Sequence, residues 1–210
     1  MTIKKNTMTI GIILILIGVC AIVSGIVFIR KDTAVSAVAK VEEFKADELI
    51  EKIPEAKTDK QKGDDFEKYV VQKFSKSYFS VLEWASDKYV NGTYPKSNTH
   101  PDLTLKFKFK EVDTDFAVEC KYRSDYYKNG VEWCSEKQMG NYQAFAQEKN
   151  IKVFVVIGVG GEATAPEELY IIPLTELMSN FVDKSFLNKY RKEKHKDSNL
   201  FYDYQTGRLK

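Results

Sequence analysis

Two stretches of the chain alternate strictly between apolar and polar positions. Leu103, Leu105, Phe107 and Phe109 are separated by Thr104, Lys106 and Lys108, while Phe116, Val118 and Cys120 point one way and Ala117, Glu119 and Lys121 the other. A period of two marks a half-buried strand, so both stretches are predicted strands, paired as a hairpin through a turn near residues 111–114. Residues 78–85 (YFSVLEWA) form a third strand, rich in aromatic and β-branched side chains, with Gly92 and Pro95 marking the turn region after it. The unbroken apolar run VFVVIGV at 153–159 suits a strand covered on both faces, and LYIIPL at 169–174 a shorter strand ended by Pro173. Gly158-Val159-Gly160-Gly161 reads as a turn, because no Gly-Lys-Ser/Thr helix start follows it.

Helical spacing appears elsewhere. Phe66, Tyr69, Val70 and Phe74 recur at three- and four-residue steps behind Gly63-Asp64-Asp65. This predicts an amphipathic helix with Asp64 as N-cap and Glu67 three residues later, as in a capping box. Met139, Tyr142, Phe145 and Ala146 give the apolar stripe of a second helix over 135–149, capped by Ser135. A helix over 175–182 and a terminal strand and turn around 201–207 complete the pattern. Helix, three strands, helix, two strands and helix indicate an α/β domain with a mixed sheet flanked by helices.

The first apolar run is of another kind. Residues 8–29 carry no charge and are apolar all round. At about 1.5 Å per residue they reach roughly 33 Å, enough to cross the hydrocarbon core of a bilayer. A cleaved signal peptide is the competing reading, given Ala37-Val38-Ala39. However, the run exceeds the usual apolar length of such a peptide, and Arg30-Lys31 stands between it and the small residues. A single transmembrane helix at 8–29 is therefore expected, followed by a stalk at 30–62, an α/β domain at 63–182 and a basic, aromatic extension at 183–210. Lys4 and Lys5 on one side nearly balance Arg30, Lys31 and Lys40 on the other, so charge alone does not orient the segment.

Composition adds little. With 43% hydrophobic and 30% charged residues the chain is globular, and a net charge of +2 selects no partner. Three cysteines at 20, 120 and 134, with no CxxC pair and no clustered histidines, argue against structural zinc or a disulfide framework. Cys120 and Cys134 are read as reduced core thiols in preference to a bridge. Residues 184–210 hold eight basic residues against three acidic ones, which suits either a phosphate backbone or a solvated surface. His195 lies in that charged run and is expected to be solvated, while His100 is read as a loop residue.

The candidate chemistry sits on the second strand of the hairpin. Glu119 and Lys121 share a strand face, and Asp102 opens the strand before it. Two carboxylates brought together across a hairpin repel unless a cation lies between them, and oxygen ligands of this type suit Mg²⁺ or Mn²⁺. The tripeptide alone carries no weight, since Glu-x-Lys also occurs at 43–45 and 55–57 in the stalk.

Pro101-Asp102, sixteen intervening residues and then Glu119-Cys120-Lys121 resemble the motif of the PD-(D/E)xK nuclease superfamily, which has the restriction-endonuclease-like fold. The likeness spans about residues 63–174. It implies that Asp102, Glu119 and the backbone carbonyl of Cys120 bind a divalent metal, with Glu67 at the first-helix acidic position. It also implies that Lys121 orients the attacking water or meets developing charge, and that Gln138 is the downstream glutamine, Gln143 being the poorer match. On this resemblance the chain is expected to be a metal-dependent nuclease acting on DNA, and a homodimer is a further expectation; residues 8–29 would hold it at a membrane, with the domain expected in the cytoplasm, where nucleic acid and reduced thiols are. The alternative is a non-catalytic binding module of the same fold, for nucleic acid or protein. A secreted nuclease follows if the first segment is cleaved.

Overall fold

The computed structural model describes residues 56–85 and 99–210. The predicted membrane segment at 8–29, most of the stalk and the turn region at Gly92 and Pro95 lie outside the described residues. Among the described residues no helix is long and apolar enough to cross a membrane. The chain divides between Ala56 and Lys57, so the unit that carries the sheet includes the last part of the expected stalk.

Helix α1 (Asp59–Gln72) starts earlier than the spacing of its apolar residues suggests. Thr58 is the N-cap: its hydroxyl accepts from the Gln61 amide, and the Gln61 side chain accepts from the Thr58 amide at 2.8 Å. This true capping box supersedes the one expected from Asp64 and Glu67, which both fall inside the helix. Gly63 is tolerated there at a cost of about 1 kcal/mol relative to alanine, because the following turns bury Phe66, Tyr69 and Val70 on the sheet. Moving the cap back frees Glu67 from a capping role.

Strands β1 (Phe79–Trp84), β2 (Leu103–Phe109) and β3 (Val112–Arg123) form an antiparallel meander whose second and third strands are the expected hairpin, with Leu103 opposite Val118 and Phe109 opposite Val112. The short strand β4 (Gly130–Glu132) and helix α2 (Glu136–Lys149) lead to β5 (Lys152–Glu162), which runs parallel to β3, and β6 (Ala165–Pro173) pairs antiparallel with β5. The five-stranded mixed sheet has the order β1-β2-β3-β5-β6, with β3 at its centre. Parallel neighbours need a crossover, and α2 supplies it.

Gly158-Val159-Gly160-Gly161 is strand, not turn. A Cβ on Gly158 would lie 2.4 Å from the Phe66 ring, so this glycine lets α1 approach β5 closely. Gly160 and Gly161, at φ +72° and +64°, take the positive-φ backbone of the strand's outer end.

After β6 the expected helix over 175–182 does not form. A 3₁₀ turn covers Leu174–Glu176, and β7 (Phe181–Asp183) pairs with β4. The buried Trp133 dictates this: its indole donates to the Ser179 carbonyl and its backbone amide to the Asn180 carbonyl, both at 2.9 Å, drawing the chain out alongside β4. Helix α3 (Lys184–Asn188) and the hairpin β8 (Tyr202–Asp203)–β9 (Arg208–Leu209) finish the chain.

Residues 183–210 are no appendage to the core. Leu200, Tyr202 and Leu209 are buried beside α1 on one sheet face, and Tyr202 stacks on Phe116 at 5.2 Å. The opposite face buries Trp133, Tyr142, Phe145 and Leu187. His195 is buried too, with Nδ1 3.2 Å from the Lys192 carbonyl and Nε2 3.0 Å from the Pro166 carbonyl. The charges around it hid that packing role. Cys120 and Cys134 are free thiols buried on opposite sheet faces, which is why they form no bridge.

Candidate active site

The end of β2 creates the site. Pairing with β3 stops at Leu103–Val118, so the next inward-facing amide of β3, that of Cys120, meets no backbone. Asp102 fills the gap, its Oδ2 accepting from the Cys120 amide at 2.7 Å, while the Asp102 carbonyl accepts from Ala85 at 2.8 Å. The aspartate is thus fixed by two strands. Burial first, and then the Glu119 carboxylate, push its carboxyl well above the usual carboxylate range, against the pull of Lys121 and the Cys120 amide.

Strand alternation sends Glu119 and Lys121 to the α2 side, whereas Cys120 faces the α1 side. Glu119 is only 1% exposed. Its Oε1 is held twice, accepting from the Tyr142 hydroxyl at 2.6 Å and pairing with Lys121 Nζ at 2.5 Å. Its Oε2 is buried without a hydrogen-bond partner among the described residues. Leaving a buried acceptor unpaired costs about 1–3 kcal/mol, more when it is charged, so the arrangement suits a group that is satisfied by an electropositive ligand. Burial works against the charge on Lys121, but the Glu119 and Asp102 carboxylates outweigh it and hold the ammonium above its ordinary value. Tyr142 is likewise raised, by burial and then by Glu119, and stays a hydrogen-bond donor.

A cavity of about 560 Å³ opens here, lined by Asp102, Glu119, Lys121, Tyr142, Glu67 and Gln138, with Lys60 and Lys62 of α1 also at its wall. All five sequence-derived site residues therefore meet one cavity, though not in equal roles. Glu67 adds to the negative charge felt by Asp102, but its Oε2 accepts from the Trp84 indole at 3.1 Å. Gln138 is the N3 residue of the α2 capping box: its Oε1 accepts from the Ser135 amide at 3.0 Å, so its carbonyl is committed to the helix and only its NH₂ group remains to offer. Among the described residues no three His, Cys, Asp or Glu side chains are grouped to hold a metal by themselves. The donors fit an ion that takes two carboxylates and keeps water for its other positions, which is the habit of Mg²⁺.

Tyr142 and Arg123 belong to the site without having been singled out. Tyr142 follows Gln138 by four residues, on the same helix face, and its place in the apolar stripe disguised its hydroxyl. Arg123 donates to the carbonyls of Glu132, Tyr122 and Trp133, tying the end of β3 to the chain that leads into α2. His100 packs its ring on Phe145 at 4.9 Å, and its Nδ1 is buried without a partner among the described residues.

No protein-family model matches the chain, and no curated protein does. Among solved structures it is similar to Hjc of Archaeoglobus fulgidus, a Holliday junction resolvase from an archaeal hyperthermophile. The two share 17% identity at a TM-score of 0.43, over 60% of this chain and 93% of that one.

Proposed function

We propose that the chain is a metal-dependent nuclease that hydrolyses phosphodiester bonds, in DNA by preference, and is tethered to a membrane through residues 8–29. The observation that carries this reading is the unpaired, buried Glu119 Oε2 beside Asp102 and Lys121 in one cavity. Asp102 and Glu119, with the Cys120 carbonyl, would hold Mg²⁺ or Mn²⁺, and Glu67 would border that set. Such an ion, when bound, supplies a lowered water pKa and compensation for phosphoryl charge.

The chain's own groups do the rest. Lys121 is a compact point charge at the cavity, suited to a nonbridging phosphate oxygen or to holding the attacking water. Its pairing with Glu119 fixes where that charge sits, and Tyr142 and Arg123 keep the strand end and Glu119 in place. Lys60 and Lys62 line the same cavity paired with Asp64 and Asp59, and would have to exchange these partners to meet flanking phosphates. The domain is proposed to lie in the cytoplasm, where nucleic acid is found.

The second reading, a binding module without catalysis, is favoured by the carbonyl of Gln138, which is committed to the start of α2. One experiment separates the two. The purified full chain is incubated with plasmid, linear, branched and single-stranded DNA and with RNA, in Mg²⁺, Mn²⁺ or chelator. Cleavage that needs metal and disappears in both Asp102→Ala and Lys121→Ala supports the nuclease. Binding without cleavage under every metal condition supports the module.

A further inference from the structure

The two tryptophans of this chain are placed in opposite ways. Trp133 is fully buried, whereas Trp84, the last residue of β1, is 42% exposed. A large apolar ring left open to water forgoes much of the stabilisation its burial would bring. Its position is nonetheless fixed. Trp84 stands opposite Leu103, next to Asp102, and the amide that follows it donates to the Asp102 carbonyl. The indole N–H donates to Glu67 Oε2 at 3.1 Å, and Glu67 lines the cavity. The only polar atom of the ring is thereby used, and what remains for a ligand is its apolar π-surface.

We propose that Trp84 is a stacking platform for an unpaired nucleobase of the strand whose phosphate enters the Asp102–Glu119 cavity. The inference rests on the nuclease reading and narrows its substrate to nucleic acid with unpaired bases near the reacting phosphate. Trp84 shares the α1 face of the sheet with Leu103, whereas Glu119 and Lys121 face α2, and Glu67, which binds the indole and lines the cavity, joins the two sides at the sheet end. The bases of a continuous duplex are stacked on each other and offer an aromatic ring no free face, whereas a single strand, flap or branch does. Ring stacking tolerates any base, so the platform selects strand structure and not sequence.

The test uses the full chain with calcium in place of magnesium, and two probes: a labelled single-stranded 20-nucleotide DNA and the blunt duplex of the same sequence. Binding is followed by anisotropy and by tryptophan emission. Single-strand binding should quench the emission of the wild-type chain and leave that of Trp84→Phe, in which only the buried Trp133 emits, unchanged. Trp84→Ala should weaken single-strand binding about 10-fold, Trp84→Phe should stay within about 3-fold, and the duplex should change by less than about 2-fold in either. Trp84→Phe keeps a ring but loses the N–H to Glu67, so it separates stacking from the tether. The proposal is overturned if Trp84→Ala binds the single strand as the wild type does, if it loses strand and duplex alike, or if neither probe binds. Cleavage in magnesium is scored separately. A chain that binds through Trp84 and cuts nothing sinks the nuclease reading and keeps the platform; a chain that cuts while ignoring Trp84 does the reverse.

Discussion

At the scale of single residues, the carboxylate of Glu119 carries the functional argument through the inequality of its two oxygens. Oε1 is held by Tyr142 and Lys121 and Oε2 by no described group. Partners that orient a ligating carboxylate act on metal affinity without touching the metal, at a typical cost of 10–100-fold when removed. Tyr142→Phe should therefore weaken Mn²⁺ binding by about 10-fold in a calorimetric titration, with the fold retained, because the ring still fills its site. Unchanged affinity would show that Tyr142 only packs. Asp102, Glu119 and Lys121 were legible because their spacing could be matched to strand alternation. Tyr142 was not, since a tyrosine in an apolar stripe gives no sign of where its hydroxyl ends. Gln138 shows the converse: a residue chosen for chemistry holds its own helix end, and its position three residues after Ser135 already permitted that.

At the scale of elements, alternation locates β2 because it buries one face, and locates β3 because Glu119 and Lys121 keep its second face polar in sequence although residues 116–120 are buried on both faces; the turn between them is displaced by only a residue or two. The start of α1 was misplaced because two capping patterns compete, Thr58 with Gln61 and Asp64 with Glu67. The earlier one wins by adding a helical turn. The β7 region was missed because its pairing with β4 depends on Trp133, distant in sequence. Gly158 was read as a turn because sequence does not reveal that a phenylalanine ring lies over it. That contact is measurable. Gly158→Ala places a Cβ against the buried Phe66 ring and should cost about 1–3 kcal/mol of unfolding free energy. Phe66→Leu in the same chain should recover part of this loss, as a double-mutant cycle in denaturant would show. Strict additivity of the two substitutions would mean that Phe66 and Gly158 do not set the spacing of α1 on the sheet. Because Glu67 follows Phe66, that spacing also sets how Glu67 approaches Asp102.

At the scale of the whole molecule, the basic tail is a structural part of the unit that carries the site. Its chain lies along β6, where the Ile171 amide donates to the Tyr190 carbonyl and the Lys192 amide to the Leu169 carbonyl. Glu168 anchors that path by pairing with Arg191 and Lys184 and by accepting from Tyr126. Charge counting had separated residues 183–210 from the domain because eight basic side chains mask a few buried apolar ones. The segment at 8–29 remains an expectation of the sequence, and the mature amino terminus, read by mass spectrometry, distinguishes an anchor from a cleaved leader. The central claim concerns the division of labour within one strand. Mn²⁺ affinity and Mn²⁺-dependent DNA cleavage are measured side by side for the wild-type chain, Glu119→Gln and Lys121→Ala. Glu119→Gln should lose both, while Lys121→Ala, which removes a partner of Oε1 but also a cation that repels the metal, should keep Mn²⁺ affinity within about 10-fold of the wild type and still fail to cut. Retained metal binding in Glu119→Gln, or full cleavage by Lys121→Ala, would contradict the account.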